Sequence, residues 1–214
     1  MHHRKTIFAL ACIMSVGMIY SLYSCKKSDS DTTGTADNSL AALNLPATAF
    51  NYANQTLPFY LNAPPIAGQI NTPPNNQITD AGATLGRVLF YDKTLSINNS
   101  IACASCHKQE FAFSDNIAFS KGFAGGSTAR NSMSLINARY YPSGRFFWDE
   151  RAATLEAQTL IPVQDLTEMG MTLNEMVTRL KIKTHYPVLF EKHSVIKILP
   201  VTAWREHWPN LYVQ

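Results

Sequence analysis

The sequence predicts a mainly α-helical fold with long loops packed around a bound cofactor. Three observations predict it. No segment sustains the apolar–polar alternation of a half-buried strand. Apolar residues instead recur at helical spacing in several stretches that follow a capping residue. The third is the string Cys103-Ala104-Ser105-Cys106-His107, which sets two thiols and an imidazole side by side.

Cys-x-x-Cys-His is the attachment site of a c-type haem. Each thiol adds across a haem vinyl group to form a thioether, and the histidine ligates the iron. Two intervening residues put both sulfurs on one side of a helical turn, where the porphyrin edge lies. Without its histidine the pair also reads as a redox dithiol or half of a zinc site. Zinc needs a second pair of ligands, and the other cysteines of the chain are Cys12 and Cys25. One covalently bound haem c is therefore the expected cofactor, with His107 as axial ligand. It supplies core that a domain of about 110 residues would otherwise lack. The predicted fold is a cytochrome c-like haem domain.

The elements follow in chain order. His2, His3, Arg4 and Lys5 form a short basic region, and Ile7 to Tyr23 is apolar. This is the layout of an export signal. Leu22-Tyr23-Ser24-Cys25 resembles a bacterial lipobox, so residues 1–25 are expected to be a lipoprotein-type signal peptide. Cys25 would then be the lipidated first residue of a periplasmic, outer-membrane or cell-surface protein. Cleavage near Ser24 to a soluble periplasmic product is the alternative. Residues 26–78 read as a flexible or extended, disordered linker. Lys26 to Asn38 is almost devoid of apolar residues, and residues 50–78 are rich in Pro, Asn and Gln. Without Arg4 and Lys5, the 18 basic residues fall to 16 against 15 acidic ones, so nothing suggests a nucleic-acid partner.

The haem domain is expected over 79–190. Asp80 is the candidate cap of a helix that faces Leu85, Val88 and Leu89 inward, with Phe90 beside them. A helical turn surrounds Cys103 to Lys108. Phe111 to Arg130, with Gly122, Gly125 and Gly126, reads as a loop over one haem face. Thr154 to Leu160 is a short helix expected to stop before Pro162. Thr172-Leu173-Asn174-Glu175 is a capping box that opens a helix with Leu173, Met176, Val177 and Leu180 inward. Residues 191–214 are a divergent tail without periodic pattern.

Larger blocks carry a resemblance. Leu85-Gly86-Arg87-Val88-Leu89-Phe90-Tyr91-Asp92, Leu95-Ser96, the haem string, Ala112-Phe113-Ser114-Asp115, Arg130-Asn131, Phe147-Trp148-Asp149, Leu155-Glu156-x-Gln158, Pro162 and Glu168-Met169 occur in that order. This arrangement resembles the first haem domain of bacterial di-haem cytochrome c peroxidases and their MauG-like relatives. The resemblance implies an exported c-type haem peroxidase that reduces hydrogen peroxide with electrons from a small cytochrome or cupredoxin. It implies that Glu168 is the distal acid–base residue, Gln158 a glutamine beside the haem, and Trp148 an electron relay. Arg130, Asn131 and Arg151 match positions that line haem propionates or an inter-domain calcium. By residue type alone, Glu168 reads as a solvated carboxylate, Gln158 as a core amide, Trp148 as core packing and Arg130 as a surface ion-pairing residue.

Two departures bear on chemistry. Where many family members carry a histidine that caps the resting iron, this chain has Phe123 in Ser120-Lys121-Gly122-Phe123-Ala124-Gly125-Gly126. Phenylalanine cannot ligate iron, so a five-coordinate or water-ligated haem is expected. The second haem motif of the family does not occur, and the chain reads as truncated or frame-shifted, with activity impaired. The competing reading is a mono-haem electron-transfer cytochrome c, with Met133, Met169, Met171 or Met176 as second ligand.

Overall fold

A computed structural model describes residues 38–193. The expected signal peptide, residues 26–37 of the expected linker and the tail from residue 194 lie outside the described residues. Six α-helices occur among the described residues: α1 (Asn38–Ala41), α2 (Asp80–Tyr91), α3 (Cys103–Cys106), α4 (Leu155–Gln164), α5 (Leu173–Ile182) and α6 (His185–His193). No strand is present there, only three isolated bridges, at Lys108–Ser114, Lys121–Ser127 and Phe146–Ala152. The mainly α fold with long loops is as the sequence predicts.

Leu85 and Leu89 on α2, Val163 on α4, Met176, Val177 and Leu180 on α5, and Tyr186, Leu189 and Phe190 on α6 form one buried core, joined by Leu95, Met169 and Met171. Helices α2, α4 and α5 each start where a hydroxyl satisfies an orphan amide. Thr154 Oγ1 accepts from Ala157 N and Thr172 Oγ1 from Glu175 N. The α2 cap is Thr79 rather than Asp80: Thr79 has extended backbone, and its Oγ1 accepts from Gly82 N at 3.0 Å. Asp80 instead accepts from the amides of Tyr52 and Ala53, at 2.7 and 2.8 Å, and anchors the chain that approaches the domain.

Helix α4 also departs from expectation, continuing through Pro162 to Gln164. Pro162 removes one intrahelical bond, but so near the end the helix can tolerate it. The returning chain uses the terminal carbonyls, with Met169 N donating to Pro162 O and Met171 N to Val163 O.

The stretch expected to be extended linker is folded in part. Leu40, Leu43 and Leu45 pack on the core. Two 3-10 turns follow, at Phe59–Leu61 and Ile66–Gln69. Asn71 N donates to Arg139 O, Asn71 Nδ2 to Ala138 O, and buried Asn76 donates to Glu156 Oε1 at 2.9 Å. Arg179 on α5 donates to Glu175, to the carbonyls of Ser96 and Ile97 and to Asn99 Oδ1, fastening the loop that enters α3.

Tyr186 joins α6 to the end of α2, its hydroxyl donating to Asp92 Oδ2 at 2.6 Å. Burial pushes Asp92 up, but hydrogen bonds from Tyr186 and Thr94 outweigh it and hold the carboxyl below its ordinary value. A lowered carboxylate pKa contributes stability that is present above the unfolded-state value and lost as pH falls through the folded one. Tyr186→Phe is therefore expected to cost about 1.5–3 kcal/mol at neutral pH, as for a hydrogen bond to a charged group. The deficit should shrink in acid; denaturant unfolding at both pH values checks it.

Candidate functional site

Helix α3 is a single turn whose geometry is locally fixed. Ser105 Oγ accepts from Ala102 N at 3.0 Å, and His107 N donates to Cys103 O at 3.0 Å. Cys103 and Cys106 are half-buried, not disulfide-bonded, and line the same cleft. This cleft has a volume of about 390 Å³ and apolar walls from Phe90, Ile101, Leu135, Leu155 and Val163. A second cleft of about 490 Å³ shares His107, Leu135, Leu155, Gln158 and Glu168 with it.

His107 is held in place by its own loop. Ala112 and Phe113 both take the left-handed backbone conformation, at φ 57° and 56°, which folds the chain back over the imidazole. A carbonyl only accepts, so His107 Nδ1–H donates to Phe113 O at 3.0 Å and Nε2 keeps its lone pair. Burial holds the imidazole below its ordinary pKa, against the carbonyls of Phe113 and Met133 and the charge of Asp115. Asp115 pins this loop: it receives Lys108 Nζ and Ser120 Oγ, each at 2.8 Å.

Glu168 sits in the turn after α4. Asp165 Oδ1 accepts from the amides of Thr167 and Glu168, and Phe123 N donates to Glu168 O at 2.8 Å. Burial first, then the charge of Asp165, raise the Glu168 pKa, with Arg151 opposing. Gln158, half-buried on α4, lines both clefts with Glu168. Phe123 lines neither; its ring lies against Gly170, behind the Glu168 turn.

Trp148 is 60 % exposed at the second cleft rather than packed in the core, and its indole N–H donates to Asn131 O at 2.8 Å. Asn131 Nδ2 in turn donates to Asp115 O and Ile117 O. Arg130 and Arg151 both pair with Asp149, at 2.9 and 2.8 Å, and Arg151 also lies over the Phe147 ring. Among the described residues, no group of three or more His, Cys, Asp or Glu side chains is assembled for a metal ion.

Residues 80–201 match the di-haem cytochrome c peroxidase family, more than half of the chain. This chain belongs to the di-haem cytochrome c peroxidase family. It is 35 % identical over 118 residues to the methylamine utilization protein MauG of Methylorubrum extorquens, covering 55 % of this chain and 33 % of the relative. It is 32 % identical over 108 residues to the cytochrome c551 peroxidase of Pseudomonas aeruginosa, covering 50 % of this chain and 31 % of that protein. The crystal structure of a MauG-like protein associated with microbial copper homeostasis superposes with a TM-score of 0.63 at 32 % identity, over 75 % of this chain and 45 % of that one. The di-haem peroxidase BthA of Burkholderia thailandensis shares the fold, with a TM-score of 0.53 at 24 % identity over 65 % of this chain and 40 % of its own. The chain thus spans about a third of the length of the curated relatives it matches.

Membership implies a c-type haem, and the residues present fit one: paired thiols and an imidazole with a ready nitrogen border an apolar cleft. Sequence reasoning missed part of that border. Asn71, Thr72 and Ile78, from the expected linker, line the cleft, as do Arg139 and Tyr140. Among the methionines weighed as second ligands, Met171 and Met176 are core residues that line neither cleft, Met169 is buried yet borders the first, and Met133 borders the second.

Proposed function

We propose that this chain is the peroxide-reacting haem unit of an exported cytochrome c peroxidase-type enzyme. Cys103 and Cys106 would hold one haem c, with His107 as its axial ligand. The observation that carries the reading is that Glu168, half-buried with a raised pKa, borders the same cleft as the two cysteines and His107. Bound haem supplies the iron at which the O–O bond breaks and through which electrons pass.

The protein's own part is proton movement and positioning. Hydrogen peroxide plus two electrons and two protons gives two waters. The Glu168 carboxylate takes a proton from one peroxide oxygen and returns it to the other, so that the departing oxygen leaves as water. Gln158 beside it offers an amide that orients peroxide by hydrogen bonding. Phe113 O fixes the imidazole tautomer. Electrons come from a small reduced cytochrome or cupredoxin. The exposed indole of Trp148, held through Asn131, suits the entry point, because an aromatic π system shortens the tunnelling gap. Arg130 and Asn131 frame that entry, Arg130 through Asp149. A calcium ion at a domain interface belongs to the same reading of an intact relative. Export and a lipid anchor on Cys25 rest on the N-terminal pattern. Among the described residues no helix is long and apolar enough to cross a membrane.

Full-length protein matured with haem tests the proposal by its spectrum. The expected ferric form is five-coordinate or water-ligated, and peroxide should shift its Soret band at once. A low-spin, doubly ligated iron indifferent to peroxide rejects the peroxidase and favours an electron carrier.

A further inference from the structure

The arginines that the family pattern offers to haem propionates, Arg130 and Arg151, are both engaged by Asp149. Arg139 and Tyr140 are in the opposite condition. Arg139 Nε and the Tyr140 hydroxyl are buried, and neither meets a hydrogen-bond partner among the described residues. A buried donor left unsatisfied bears the full cost of leaving water. Two neighbouring residues in this state, both bordering one cleft, point to an acceptor that belongs in it.

The cleft narrows what that acceptor is. Cys103 and Cys106 hold the vinyl edge of a porphyrin, and the two propionates leave the ring at the edge away from the vinyls. The Ala138–Tyr140 turn is not carried by α3 but by the approach chain, through Asn71 N to Arg139 O and Asn71 Nδ2 to Ala138 O. Apart from His107, Arg139 is the one basic side chain among the described residues bordering this cleft. A guanidinium keeps its charge and pairs well with a carboxylate.

We propose that Arg139 Nε–H and the Tyr140 hydroxyl clamp a haem propionate, and that Asn71 holds the clamp in place. The proposal rests on haem being seated in this cleft, and not on the peroxidase reading. A cation beside the propionate offsets its negative charge and so favours the ferrous iron. Without it, the ferric state gains and the propionate titrates within the working pH range.

The test is a spectroelectrochemical titration of full-length holoprotein at several pH values. Because the thioethers keep haem attached, Arg139→Gln should retain covalent haem, show a lower midpoint potential and acquire a pH dependence that the parent lacks. Arg139→Lys should restore part of the shift. Tyr140→Phe, which keeps the ring and loses only the hydroxyl, should shift the propionate bending band in the resonance Raman spectrum. Arg145→Gln removes a nearby exposed cation that borders neither cleft, and should do nothing. Parent-like potential, pH profile and propionate band in Arg139→Gln and Tyr140→Phe overturn the clamp. If Arg139→Gln fails to mature, the Tyr140→Phe band decides alone. Parent protein without covalent haem would instead defeat the underlying haem assignment.

Discussion

Replacing Glu168 with glutamine is expected to slow the reaction of the holoprotein with peroxide by about 10²–10⁴-fold, the range for losing a positioned acid–base group. Glutamine keeps the shape of the side chain but cannot carry the proton. The pH dependence follows from the raised pKa, whose causes are burial, then the charge of Asp165, with Arg151 opposing. The ionised form is the one that accepts a proton, so the parent rate should fall as pH drops through the raised value. That acid limb therefore lies above the ordinary carboxylate range, and Glu168→Gln should abolish it. Stability moves the other way. A carboxyl with a raised folded-state pKa disfavours folding once pH exceeds its unfolded value. Glutamine removes that cost, so the melting temperature should hold or rise while peroxide reactivity collapses. Stopped-flow mixing with peroxide across pH, beside thermal unfolding, reads both. An unchanged rate with the acid limb intact would eliminate Glu168 as the proton carrier.

What could be read from the chain alone divides along sequence distance. The haem string is local: two thiols within one helical turn and an imidazole just after it, needing nothing remote to be recognised. The caps at Thr154 and Thr172 are local for the same reason, each hydroxyl serving an amide three residues on. At α2, adjacent Thr79 and Asp80 are both good caps by residue type, so the expectation of Asp80 had nothing local to prefer it over Thr79. The choice was made by Tyr52 and Ala53, whose amides occupy the Asp80 carboxylate. Pro162 reads as a stop because its ring spoils a helix in isolation, whereas in the fold Met169 and Met171 return to use the helix-end carbonyls.

The candidate site follows the same division. Glu168 and Gln158 were reached through an ordered family pattern, and they border the cleft with the haem string. Asn71 and Asn76 looked like linker residues because their partners, Ala138 and Glu156, stand 67 and 80 positions away. Nothing in Asn137-Ala138-Arg139-Tyr140 marks its two donors as buried. Phe123 was legible only as a missing histidine; that its ring backs the Glu168 turn depends on Gly170, which the sequence does not pair with it.

That backing makes the second large effect. Two chain segments meet face to face behind Glu168, and both close approaches depend on glycine. A Cβ at Gly122 would run into the Thr167 carbonyl oxygen, and would stand 3.1 Å from Glu168 O. Both obstacles are backbone, so a side chain cannot swing aside and one segment must move. Gly170, at φ +65°, faces Phe123 so closely that a Cβ would stand 2.5 Å from its Cε1. Displacing either segment strains the bond from Phe123 N to Glu168 O that holds the turn. Gly122→Ala is therefore expected to cost about 1–3 kcal/mol or more of stability through overpacking. It should also slow the peroxide reaction by about 10²-fold, the scale of an ångström-sized misplacement of a reacting group. Gly126→Ala provides the comparison from the same loop: its Cβ would meet only Thr167 Cγ2, at 3.5 Å, an ordinary contact. Unfolding curves and peroxide kinetics on the two variants separate position from composition. If Gly122→Ala stays folded, keeps its haem and matches Gly126→Ala in rate, the loop at Phe123 does not set the place of Glu168.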